Sequence, residues 1–178
     1  MMQSMYMQLF GGEFGKLPEE IRAMHVGTRK AVGRANVTRG TSPLARLICA
    51  AAKIPASGEN VVVETSFDPV DNGERWTRRF GDDEFHTEMK LVRVAPHAEL
   101  TEQFGPLKFR LRLTAHEHGV DMTPEGVSVF GLPLPRFLCP EAVGLERVRD
   151  GKYHFDVTVR FPVAGDIITY AGWLEPAA

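Results

Sequence analysis

The sequence predicts an α+β fold: a curled antiparallel β-sheet, built as a meander and barrel-like or half-barrel in shape, with two or three helices packed on it. Three observations carry this. Helical periodicity and capping signals are confined to the first third of the chain. From Asn60 onward apolar and polar residues alternate with period two, which sends successive side chains to opposite faces. The alternating runs are joined by hairpin-scale turns, Asp71-Asn72-Gly73, Gly81-Asp82-Asp83 and Asp150-Gly151.

The first helix is expected in LPEEIRAMHVG, from Leu17 to Gly27. Pro18 suits the first helical position, Glu19 and Glu20 sit where the helix dipole favours negative charge, and Gly27 suits the stop. Leu17, Ile21 and Met24 share one face. AVGRANVTRG, ending at Gly40, alternates as a strand. A second helix is predicted in TSPLARLICAAAKIP, capped by Ser42, with Pro43 at its start and Pro55 beyond its end. Its Leu44, Leu47, Ile48 and Ala51 form an i, i+3, i+4, i+7 stripe, which reads as core or as a helical lid over a cavity.

About eight strands are expected in all, and after AVGRANVTRG the next is VVVETSFDPV. ERWTRRF sets Trp76, Arg78 and Phe80 against Arg75, Thr77 and Arg79. EFHTEMKLV sets Phe85, Thr87, Met89 and Leu91 against Glu84, His86, Glu88 and Lys90. LKFRLRLTA sets Leu107, Phe109, Leu111 and Leu113 against Lys108, Arg110, Arg112 and Thr114. GVSVFG is a short strand. After the Asp150-Gly151 turn, Tyr153, Phe155, Val157, Val159 and Phe161 share one face, and DIITYAGWL closes the sheet. A sheet apolar on one side must bury that side by curling or by accepting helices.

With 178 residues, 43% of them hydrophobic and 25% charged, one domain spanning 1–178 is expected. A net charge of −2 gives no drive toward nucleic acid, so no nucleic-acid partner is expected. Cys49 and Cys139 lack metal-ligand spacing and read as reduced thiols. The N-terminal segment lacks the pattern of a secretory signal, no run is long enough for a transmembrane helix, and the cytoplasm is the expected location.

Several blocks taken together, LPEEIRAMH, RGTSPLARL, GERWTRRFG, FGPLKFRLRL, GLPLPRFLCP and YAGWLEP, resemble the bacterial DUF4166 family, a domain of unknown function. The resemblance runs from about Tyr6 to Pro176. It implies a domain found alone or fused to saccharopine dehydrogenase-like or short-chain dehydrogenase-like modules, and hence a docking role on an NAD(P)-dependent oxidoreductase partner. It implies no activity. The charge and histidine content of FHTEMKLVRVAPHAEL departs from the family pattern and counts against this strand pair lining an apolar site.

GxSxG, GxGxxG, P-loop and HExxH motifs are absent from the sequence, so no cofactor is expected. The histidines of HEH, His116 and His118, read as a solvated turn, because a metal needs a third convergent ligand. Arg78 on the apolar face needs a partner: a carboxylate or phosphate head group, or a glutamate at the edge of the core, with Trp76 packed beside it. His25 is an acid or base at a pocket mouth, or it binds the last helical carbonyls. Lys108, Arg110 and Arg112, with Arg75 and Arg79, form an outer stripe expected to pair with Glu84, Glu88, Glu99 and Glu102.

In FGLPLPRFLCP, Pro133 and Pro135 remove backbone donors and forbid a central strand. The stiff segment is expected to serve as a cap on the end of a curled sheet, as a portal lip for an apolar ligand, or as a loop that touches a membrane. These residues favour binding of a small apolar or amphipathic molecule in the concavity, contacted by Trp76, Arg78, Phe109 and Leu111, with Leu134, Arg136 and His25 at its edges. The alternatives are the docking role and a small enzyme using His25 and Arg78.

Overall fold

The ten-residue strand Lys30–Arg39 (β1) hydrogen-bonds on both sides, to Gly58–Val70 (β2) and to Gly165–Pro176 (β11) at the far end of the chain. The computed structural model describes residues 4–177. Residues 1–3 of the N-terminal segment lie outside the description. From β2 the sheet continues through Gly73–Phe80 (β3), Asp83–Arg93 (β4), Glu99–Phe104 (β5) and Leu107–His116 (β6). From β11 it continues through Lys152–Phe161 (β10), Glu141–Arg149 (β9) and Gly119–Val129 (β7). β6 then pairs with β7, and the ring is closed. Every pairing is antiparallel. The sheet counts eleven strands, of which the two-residue Leu132–Pro133 (β8) hangs outside the ring on β7, so the barrel has ten.

The alternation predicted from Asn60 onward is the inside–outside alternation of this barrel. Phe109, Leu111 and Leu113 point inward and are buried, whereas Lys108, Arg110 and Arg112 are exposed. Outside, Arg75 pairs with Glu88, Arg79 with Glu84, and Arg112 with Glu125. An outer face laced with charge is the reverse of a membrane barrel, which turns its apolar residues outward. No helix among the described residues is long and apolar enough to cross a membrane.

More strands form than the eight expected. β5 and β9 were not anticipated, and β7 is far longer than GVSVFG. Pro124 hid it. A β-bulge opposite Arg110 and Leu111 absorbs the proline, which also lies between the stretch of β7 paired with β9 and the stretch paired with β8.

Two groups of helices close the barrel. Met5–Phe10 (α1), a 3-10 helix Gly11–Lys16 and Glu19–His25 (α2) fill the end where β1 begins. Tyr6, Leu9, Phe10, Ile21 and Met24 are almost wholly buried there. Pro18 is the N-cap of α2 rather than its first residue, and Gly27 takes the positive φ of a stop.

Pro43–Ala51 (α3) lies at the opposite end, against β11 and β1. The Ser42 hydroxyl accepts from the Ala45 amide and donates to the Ala164 carbonyl, 2.7 Å away. The expected stripe is not the buried one. Leu47 is 65% exposed and Leu44 40%, while Ala45 and Cys49 are buried. The cause is close approach: a Cβ on Gly40 would stand 1.6 Å from the Asp166 carbonyl oxygen and 3.0 Å from the Ala45 Cβ. Only small side chains fit this seam. Leu47→Ser is therefore expected to change the unfolding free energy by no more than about 0.5 kcal/mol. Ala45→Leu is expected to cost about 1–3 kcal/mol. Urea denaturation of both variants checks the assignment, and the opposite order would mean that the leucine stripe faces the barrel.

Candidate functional site

Eight strands give a barrel that side chains just fill, so ten leave space. A cavity of about 180 Å³ runs through the interior, between the α1–α2 plug and α3. Its wall is mainly aromatic and aliphatic, with Phe80, Phe85, Phe104, Phe109, Phe155 and Phe161 among its residues. Ile48, Ala52 and Ile54, on α3 and just after it, reach into the opposite end. The charge of FHTEMKLV does not keep this strand from the site. Glu84, His86, Glu88 and Lys90 are on the outer face, and Phe85, Thr87 and Met89 line the cavity.

The wall parts on one side. The β7–β9 ladder ends at Met122↔Gly144, and beyond it the cavity reaches Ala142 and the exposed Val143. The 130–140 crossover stands beside this gap. Phe130 and Gly131 take positive φ, β8 follows, and a 3-10 helix Arg136–Leu138 leads into β9. Phe130 is 83% exposed and Phe137 73%. With Leu132, Val163, Leu44 and Leu47 they make an apolar rim at the α3 end.

Of the residues singled out in the sequence, Trp76, Arg78, Phe109 and Leu111 line the cavity. Leu134 does not line it: it packs half-buried against the core and donates its amide to the Val127 carbonyl at 2.9 Å. Arg136 is exposed on the rim and outside the cavity. His25 is not at a mouth, nor does its ring serve the last helical carbonyls. It lies in the plug, its ring stacked on Tyr6 at 3.5 Å. His116 contacts Asp121 in the exposed β6–β7 turn, and no cluster of metal-ligating residues exists among the described residues. Cys49 and Cys139 are both free.

Of two polar clusters, the first was not foreseen, and the second answers the expected pairing of Arg78 with a glutamate beside Trp76. At the floor, the Glu146 carboxylate accepts from the Tyr6 hydroxyl at 2.8 Å and lies 3.1 Å from His25 Nε2. Tyr153 leans on the same carboxylate. The signal was present in the hairpin. Asp150-Gly151 sets Glu146 opposite Phe155, on the face already assigned to the core. The second cluster surrounds Arg78. Its Nη1 donates to Thr87 Oγ1 at 2.9 Å, and its Nη2 lies 3.8 Å from Glu102 Oε1. The guanidinium also stacks over Trp76, 4.9 Å from the ring centre. Glu102 is thus inside the barrel and not on the outer stripe. Glu99 pairs with Arg93.

A family model for DUF4166, a domain of unknown function, matches residues 17–174. The chain belongs to the DUF4166 family. The match takes in α2 and the sheet as far as Leu174 in β11 but begins after α1, so Tyr6 lies outside it. No curated protein and no solved structure matches the chain.

The interior also governs titration. Burial, then the Glu146 charge, raises Tyr6 and Tyr153 well above the ordinary tyrosine value. Burial raises Tyr170, against the opposing charge of Arg78. These are all three tyrosines of the chain. A raised pKa favours the neutral form, so this stability is complete below the ordinary value of about 10 and is lost as pH climbs through the raised ones. Spectrophotometric titration is expected to show no tyrosinate near pH 10 in the native protein. Tyrosinate is expected to appear only in one cooperative step with alkaline unfolding. A tyrosine titrating independently at its ordinary value would refute the buried placement.

Proposed function

We propose that the chain binds a small apolar or amphipathic molecule inside the barrel. The observation that carries this reading is the cavity itself: space walled by large apolar side chains, with a few converging polar groups around Arg78. Such a lining is the ordinary form of a small-molecule site. At about 180 Å³ it exceeds the ~150 Å³ engineered cavity that takes benzene, which suits a single ring or one aliphatic chain. Trp76, Arg78, Phe109 and Leu111 are its contacts. Leu134 and Arg136 flank the mouth, and His25 holds the floor through Glu146.

A second reading has its own support. The rim formed by Leu44, Leu47, Phe130, Leu132, Phe137 and Val163 is an exposed apolar surface, of the kind that marks a docking face. It suits a non-catalytic accessory domain on an NAD(P)-dependent oxidoreductase. The enzyme reading has less support: the His25 side chain is 1% exposed, so a substrate would reach it only after the plug moved.

Native mass spectrometry of the purified chain, before and after organic extraction, tests the first reading. A mass excess that extraction removes is the expected result. A clean apo mass, together with no uptake of added apolar probes, would shift the assignment to the docking face.

A further inference from the structure

We propose that the cavity selects a neutral, single-chain amphiphile with a hydroxyl head, whose oxygen is held between Arg78 and Glu102. This inference rests on the cavity-binding reading above and names the chemistry of its ligand.

The argument begins with a gap. Arg78 Nη2 and Glu102 Oε1 are 3.8 Å apart, close enough for attraction and too far for a direct hydrogen bond. Both side chains are largely withdrawn from solvent, at 12% and 21% exposure, and both line the cavity. Among the described residues the Arg78 guanidinium has one hydrogen bond, to Thr87, and its planes face Trp76 and Phe85. A hydroxyl oxygen about 2.8 Å from each charged atom fits this span. It accepts from Nη2 and donates its proton to Oε1. The head thus completes both groups without adding charge. The Tyr170 hydroxyl borders the same space and stays protonated.

Charge excludes the other heads. Arg78 alone would favour a carboxylate, taken in bidentate fashion. Glu102 already neutralises it, so a carboxylate would place two anions beside one cation in an apolar cavity. An ammonium head would make the opposite error beside Arg78. The tail is apolar for a simpler reason. From Arg78 toward the α3 end the wall is Phe80, Phe85 and Phe104, with ring centres 6.0 and 5.7 Å apart in successive pairs. The limited volume admits one chain.

The test uses calorimetry with 1-decanol, decanoate and decylamine, and with the neutral single-ring probe toluene, on the full chain. Decanol is expected to bind about tenfold or more tightly than either charged homologue, since leaving one of the paired groups uncompensated costs at least that. Glu102→Gln is expected to shift the preference toward decanoate. Arg78→Met is expected to keep toluene and lose the advantage of decanol, with folding of both variants checked by circular dichroism. Should toluene bind while decanoate equals or exceeds decanol in the unmodified chain, or while Glu102→Gln leaves their ratio unchanged, the inference falls and the cavity reading stands. If neither toluene nor decanol binds the folded chain, both fall.

Discussion

Closure of the ring is the constraint on which the rest of the structure depends. The pairing of β1 with β11 joins the start of the sheet to its end, and the pairing of β6 with β7 seals the remaining seam. A closed sheet leaves little free edge to protect, here only the stretch beyond Met122↔Gly144 and the two-residue β8. It also fixes the interior width by strand number rather than by the size of the side chains within. Ten strands make that width larger than the inward residues fill, and the cavity follows. So does the need for helices at both ends, because an antiparallel barrel leaves its apolar lining open there.

The two ends solve this differently. The α1–α2 plug is sealed by large side chains and by the Glu146 carboxylate, which ties Tyr6 and His25 to β9. The α3 end is covered by small side chains and rimmed by large exposed ones. The result is a vessel with a fixed floor and a loose top. Its polar groups are few and mid-depth, which orients a guest without wetting the wall.

Most of the fold was legible because alternation is a direct record of inside and outside. Phe85, Met89, Phe109 and Leu111 all fall where the pattern places them. The failures share one cause: residues whose chemistry contradicts their position. Glu102 and Glu146 are acids that face inward, so ELTEQF and EAVGLERVR did not read as sheet. Pro124 interrupts a strand at a bulge that no single-chain pattern reveals. In α3 the stripes Leu44-Leu47-Ile48-Ala51 and Ala45-Ile48-Cys49-Ala52 have identical spacing. Size favours the first, and the tight seam at Gly40 selects the second. Of the site, the apolar wall and Arg78 could be read from sequence. A glutamate beside Arg78 was expected, but which glutamate it is, and the partners of His25, could not be read, because they are set by pairings between distant strands.

That distance has a kinetic side. Glu146 meets His25 across 121 positions of sequence and Tyr6 across 140. During synthesis the apolar faces of α1 and α2 emerge long before the carboxylate that anchors them. Contacts so far apart in sequence slow folding, since loop closure must precede the gain. The floor of the barrel is thus a late event. Until β9 is made and paired, the N-terminal helices have no place to bury Leu9, Phe10 and Ile21, and the nascent chain carries an exposed apolar segment that only completion of the ring removes.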